Sequence, residues 1–287
     1  MKICYLILAH NNFRHLDRLI DALDDTDSTF YIHLDKKAGQ DYIPKKSNAT
    51  IIPTSIDINW GGISMVEATL LLLEFGVQHS SDADYYILLS GVDYPIRSKA
   101  FLHKLLGKRK EYIDIAPLPV PYKPAERYEY YYFDYNRRNL KHYNPKFLIE
   151  VLLKKLKIKR KAPFKIYAGS QWFALTRECV GYILNTVKDD RRYLDFFRHT
   201  LVPDEAFFQT IIGNSDYRDK THANLTYTDW AVPNPPATIE QRHVDLLETH
   251  IEFNDEFGQR FPYFARKFND DSESIIERIR TTLWKQG

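Results

Sequence analysis

Cysteine is nearly missing from this chain of 287 residues, which holds two, Cys4 and Cys179. Both sit in apolar surroundings and read as reduced core residues, so a disulfide-built scaffold is excluded. Long apolar runs are missing as well. The opening stretch MKICYLILAHNN ends its apolar run at His10, too short for a secretory core with its cleavage site. It is far short of the ~20 residues of a membrane span, and no later run approaches that length. A cytoplasmic location is therefore expected. An excess of one charge is missing too: 40 basic against 38 acidic residues leave a net +2. Composition thus points to no polyanion, and a nucleic-acid partner is not expected. No internal repeat or clear linker divides the chain, so a single domain over residues 1–287 is expected.

Several familiar chemical signatures are absent. The ten histidines show no paired ligand spacing on one helix. No Ser or Cys sits in a nucleophile elbow. Two literal Asp-x-Asp matches, Asp25-Thr26-Asp27 and Asp82-Ala83-Asp84, precede strands, the wrong end of a parallel sheet for ligands. No metal site and no cofactor are expected from these. Trp60-Gly61-Gly62 precedes a helix start but lacks the spacing of a dinucleotide or P-loop fingerprint. It reads either as an anion-binding turn at Gly62 or as a tight turn beside a packed tryptophan.

What is present is an alternation of apolar strands and helices. KICYLILAH, TFYIHLD, ATIIPT and DYYILLSG read as strands, separated by NNFRHLDRLIDAL and SMVEATLLLLEFGVQ with helical spacing. Asn11 or Asn12 is a candidate cap for the first helix, and Ser64 with Glu67 makes a candidate capping box for the second. Continuous apolar strands with intervening helices predict an α/β fold with a mostly parallel sheet covered on both faces. The middle, PLPVPYKPAERYEYYYFDYNRRNLKHYNP, has neither period, and a long irregular segment of this kind is usually functional or mobile. Its Tyr-rich part, 127–135, fits either an acceptor-binding lid or an internally packed loop. KFLIEVLLKKLKIKRK then gives an amphipathic helix with Ile149, Leu152, Leu153 and Leu156 on one face. It carries the basic cluster Lys154, Lys155, Lys157, Lys159, Arg160 and Lys161. That helix either docks on the core with a solvated basic end or touches an anionic membrane.

Chemistry can be placed at a few points. DYYILLSGVDYPIRS is a buried strand that stops at Ser90-Gly91 and delivers Asp93 to the end where α/β sheets bind ligands. A metal-using sugar-nucleotide enzyme would carry a second carboxylate two residues earlier; here that residue is Gly91. In VPDEAFFQTII, Pro203 opens a helix and puts Asp204 and Glu205 in its first turn, where carboxylates stay ionised and one can act as a general base. The pattern alone leaves open which of the two, or whether both simply start a helix. Arg266 and Lys267 in YFARKF lie between aromatics and suit a diphosphate, or a solvated basic pair. Asp35 ends a strand and suits a ribose or base edge.

Taken in order, YIHLDKK, WGGISMVEATLLLL, YYILLSGVDYPIRS, GSQWFALTRECVGYIL, VPDEAFFQTII and FARKF resemble glycosyltransferase family 14. That family contains the core-2 β-1,6-N-acetylglucosaminyltransferases and the peptide O-xylosyltransferases. The resemblance runs from about residue 3 to 268. It implies a GT-A-like nucleotide-sugar transferase fold, a UDP-sugar donor, an inverting reaction and no metal. By the same resemblance the donor-binding half spans about 1–115 and the acceptor and catalytic half about 116–287. Glu205 matches the family's base in its Pro-x-Glu context. Arg266-Lys267 matches the xylosyltransferase branch and would take over the charge neutralisation that a metal performs elsewhere. Asp35 matches a position near the uridine, and Asp93 and Gly62 are grouped with the donor. Trp172 falls in the acceptor-side motif with Gln171, and Trp230 and Asp204 are expected on that side as well. The xylosyltransferase branch has Asp where Gln171 stands, which turns the expected acceptor from a protein toward a glycan or lipid-linked saccharide. Eukaryotic members carry a membrane anchor and several disulfides. A sequence without these features is expected of a bacterial-type relative acting in surface polysaccharide synthesis, peripheral at the inner membrane face. N-acetylglucosamine is placed ahead of xylose as the sugar. A non-catalytic relative that only binds UDP-sugar or glycan is the alternative.

Overall fold

A computed structural model describes residues 1–39, 41–120, 122–137, 144–233 and 235–286. In chain order the strands are β1 (Ile3–Ala9), β2 (Ser28–Leu34), β3 (Ala49–Ile51), β4 (Tyr85–Ser90), β5 (Asp93–Pro95), β6 (Glu111–Ile113) and β7 (Ala116–Pro117). They continue as β8 (Tyr167–Ala168), β9 (Phe173–Thr176), β10 (Thr221–His222), β11 (Thr226–Thr228), β12 (Phe253–Asp255), β13 (Gly258–Arg260) and β14 (Phe264–Arg266). Seven build the main sheet in the order β10-β6-β9-β4-β1-β2-β3. Strands β4, β1, β2 and β3 run parallel to one another, as do β6 and β10, and only β9 runs against its neighbours.

Every residue of β1 and β4 is buried, as strands covered on both faces require. Alternate side chains serve opposite layers. Ile3, Tyr5 and Ile7 pack with Leu16, Leu19 and Leu23 of the helix Phe13–Leu23 and with Leu102 and Leu105 of the helix Lys99–Leu106. Cys4, Leu6 and Leu8 pack with Val66 and Leu73 of the helix Ser64–His79, with Val180 and Ile183 of Arg177–Asp189, and with Phe207 and Phe208 of Phe207–Gly213. This mostly parallel sheet between helical layers is the arrangement expected of a GT-A-like α/β transferase. Both cysteines are buried free thiols in its core. A second sheet, β11-β14-β5, lies under the helices Gln241–Thr249 and Glu273–Thr281 through Tyr94, Val244, Ala265, Phe268 and Ile276.

Three local expectations change. Ser64 does not cap its helix: its hydroxyl accepts from the Asn59 amide, and its own amide is taken by the Asp134 carboxylate. Pro203–Glu205 is a separate 3₁₀ turn, because Ala206 leaves helical geometry at φ −144° before the helix Phe207–Gly213 begins. The helix Pro145–Lys155 does not turn its apolar side to the core; the residue it buries is Glu150, held by Arg137, Tyr135 and the Phe133 amide. The Tyr-rich segment is internally packed, with Tyr128 and Tyr135 buried. Residues 138–143 of the same irregular stretch lie outside the described residues. No helix among the described residues is long and apolar enough to cross a membrane.

Candidate active site

The site grows from the turn Pro203–Glu205. Glu205 Oε2 accepts from Lys123 Nζ at 2.5 Å and from Arg127 Nη1 at 2.9 Å. Its Oε1 takes no hydrogen bond from the described residues. Two cations thus hold one oxygen of this carboxylate. They come from the aperiodic segment before Tyr128, so no sequence pattern announces them; only the fold closes the gaps of 82 and 78 residues.

The Glu205 carbonyl accepts from the Gly169 amide at 2.8 Å. Only glycine fits at 169, since a Cβ there would lie 1.8 Å from the Asp114 carbonyl oxygen. Three residues on, Trp172 lies beneath Arg266, whose guanidinium carbon is 4.2 Å from the ring centroid. Arg266 Nε stands 3.3 Å from Asp93 Oδ1, and β14 pairs with β5 so that Arg266 is opposite Asp93. Asp93 Oδ2 accepts from the Ser90 amide at 2.8 Å. One connected path therefore joins Glu205, Trp172, Arg266 and Asp93 at the C-terminal end of β4, which the ligand-end rule anticipates.

Asp93, grouped with the donor residues from sequence, is fully enclosed, with Arg266 as its ion-pair partner. Burial pushes its carboxyl up to about 6 against the pull of Arg266, so it is largely ionised at neutral pH. Arg266 is engaged by Asp93 and Trp172. Lys267 follows with its backbone clamped between Ala237 and Ile239. Trp230 is exposed two residues beyond Thr228, the residue β11 pairs with Arg266. Gln171 is buried with its amide nitrogen unpartnered among the described residues. Asp35 begins the loop after β2, its amide bonded to the Ala9 carbonyl. It lines a cleft of about 530 Å³ with Lys36, Asp41, Ile52 and Pro53 at the C-terminal ends of β2 and β3. Gly62 faces Asp134: a Cβ at 62 would lie 2.2 Å from Asp134 Oδ1, so the protein's own carboxylate already sits on that turn.

Asp204 is buried, and desolvation with the neighbouring Glu205 charge pushes its carboxyl up to about 7. A folded-state value raised above the ordinary 3.8 means that the native state holds the extra proton as pH rises. Stability is then lost as pH climbs from about 4 toward 7. Asp204→Asn is expected to raise the unfolding midpoint above pH 7 and to leave it nearly unchanged near pH 4, read from thermal melts across pH.

A sequence model of the Core-2/I-Branching enzyme family, "Branch", matches residues 3–250. The chain belongs to this family of glycosyltransferases. Among curated proteins it is similar to Xylosyltransferase oxt of Drosophila melanogaster, 28% identical over 246 residues, which cover 80% of this chain and 26% of that protein. It is also similar to Xylosyltransferase 1 of Homo sapiens, 26% identical, with 80% of this chain and 24% of that one covered. Xylosyltransferase 2 of Homo sapiens is 27% identical, with 80% and 27% covered. The chain thus spans about a quarter of the length of these relatives. The solved structure of A197 from STIV aligns over 63% of this chain and 68% of its own at 8% identity, with a TM-score of 0.27, a likeness too slight to bear on the fold.

Proposed function

We propose that the protein is an inverting, metal-independent transferase that moves a sugar from a UDP-sugar to a hydroxyl of a glycan or lipid-linked saccharide. The observation that carries this reading is the path from Glu205 through Trp172 to the Asp93–Arg266 pair. Glu205 takes the proton of the acceptor hydroxyl through Oε1 while that oxygen attacks the anomeric carbon. The bond from that carbon to the UDP oxygen breaks in the same step, turning an α-linked donor into a β product. Negative charge then grows on the leaving diphosphate, and Arg266 with Lys267 offsets it in the role of preorganised cations. Asp93, tied to Arg266 and the Ser90 amide, acts as a positioning residue. In this reading Asp35 and its cleft take the uridine side, and Gln171, Trp172 and Trp230 take the acceptor side.

N-acetylglucosamine stands first as the sugar, in surface polysaccharide synthesis. The names of the curated relatives favour UDP-xylose as the second donor to test. The experiment is UDP release from a panel of UDP-sugars, without acceptor, in excess EDTA. The expected result is slow hydrolysis that survives the chelator and prefers one sugar. Activity that returns only with Mn²⁺ overturns the metal-free reading. Absence of both hydrolysis and UDP binding overturns the donor assignment.

A further inference from the structure

The helix Pro145–Lys155 is built inside out. Twelve large apolar side chains are exposed among the described residues, and six of them fall between 148 and 158: Leu148, Ile149, Val151, Leu152, Leu156 and Ile158. On a helical wheel of 3.6 residues per turn, the first five project away from the protein with Lys155 among them, while Glu150 projects inward. The helix is well specified for all that. Asn144 caps it by accepting from the Lys146 amide, and Pro145 sits in its first turn. The inward carboxylate of Glu150 is bound by Arg137 at 2.6 Å. The apolar face is therefore fixed outward by a buried ion pair and does not belong to a helix that could roll over.

We infer that this face is a docking surface for an anionic phospholipid bilayer, with the helix lying flat in the headgroup region. An apolar stripe of this kind on a short helix, edged by cations, is the pattern of interfacial binding. Eleven residues extend only about 16 Å at the α-helical rise, enough to lie in an interface and not to cross one. Charge selects the partner. Lys154 and Lys159 neutralise Glu126 and Glu129. Lys155, Lys157 and Lys161 hold no ion pair among the described residues, and no acid stands on the outer face. A second copy of this chain, brought face to face, would oppose those lysines to their own images. An anionic membrane offers hydrocarbon to the leucines and phosphate to the lysines at once. The docking rests on the helix alone, whatever reaction the cleft performs. The helix is joined to the acceptor side through the segment that brings Arg127 to Glu205 and Arg137 to Glu150, so a docked enzyme would work at the bilayer surface, where lipid-linked saccharides reside.

The test is co-sedimentation of the full chain with phosphatidylcholine vesicles, with and without phosphatidylglycerol, over a range of salt. Binding is expected only with the anionic lipid, and to weaken as salt rises. Leu148→Glu with Leu152→Glu is expected to lower it by about tenfold or more, since each places a charge in the apolar stripe. Ile43→Glu and Ile251→Glu, at exposed apolar positions elsewhere, are expected to leave it unchanged. UDP-sugar hydrolysis by the Leu148/Leu152 variant in vesicle-free buffer is expected to equal that of the parent, which shows that the fold is intact and separates this inference from the catalytic one. No binding to anionic vesicles, or binding that survives the double substitution, overturns the inference. A concentration-dependent dimer that the same substitutions dissolve would assign the face to a second copy instead.

Discussion

Glu205→Gln is expected to lower sugar transfer by about 10²–10⁴-fold, the usual contribution of a positioned general base. Glutamine keeps the size of the side chain and can still accept from Lys123 or Arg127, but it cannot take the acceptor proton. Those two cations lose their charge partner. Their side chains keep 14% and 22% exposure, so water reaches them and the loss of stability should be small. UDP affinity should change little, because the cations proposed for the diphosphate, Arg266 and Lys267, lie at the other end of the path. Initial rates at saturating donor, beside a UDP titration, check both halves. A variant that keeps transfer within tenfold of the parent would remove Glu205 from the reaction and return attention to Asp204.

The second large effect is on stability. Arg266→Met is expected to destabilise the protein by about 3–5 kcal/mol near pH 8, the usual consequence of leaving a buried charge without its partner. Asp93 is fully enclosed and, once the guanidinium is gone, keeps the Ser90 amide and the more distant charge of Lys267. Its carboxyl, already at about 6 with Arg266 present, would move higher without it. The native state would then hold a proton that the unfolded chain releases, so the deficit should shrink as pH falls toward 5. Adding Asp93→Asn to Arg266→Met should recover most of the loss. Urea unfolding of the two single variants and the double variant at two pH values checks this. If the double variant is no more stable than Arg266→Met, the pair is not the source of the cost.

Much of the fold was legible because its signals are local. The apolar runs of β1, β2 and β4 and the spacing of Leu16, Leu19, Ile20 and Leu23 state their period within a dozen residues. Asp93 could be placed at the ligand end of the sheet on the same grounds. The partnerships within the site were not legible in this way. Lys123 and Arg127 reach Glu205, and Asp134 reaches the helix at Ser64, only because distant segments meet in three dimensions. The outward helix shows the limit of periodicity most clearly. A hydrophobic face was evident in KFLIEVLLKK, but periodicity fixes only that such a face exists. Which way it points was decided by Glu150, one carboxylate that Arg137, Tyr135 and Phe133 together bind.

The segment from Lys123 to Arg137 is fastened along its length: Lys123 and Arg127 on Glu205, Asp134 on the Ser64 amide, and Phe133, Tyr135 and Arg137 on Glu150. A strap sewn down at both ends and the middle cannot swing as a hinged flap does. In the transferase reading, a turnover then needs no lifting of this strap.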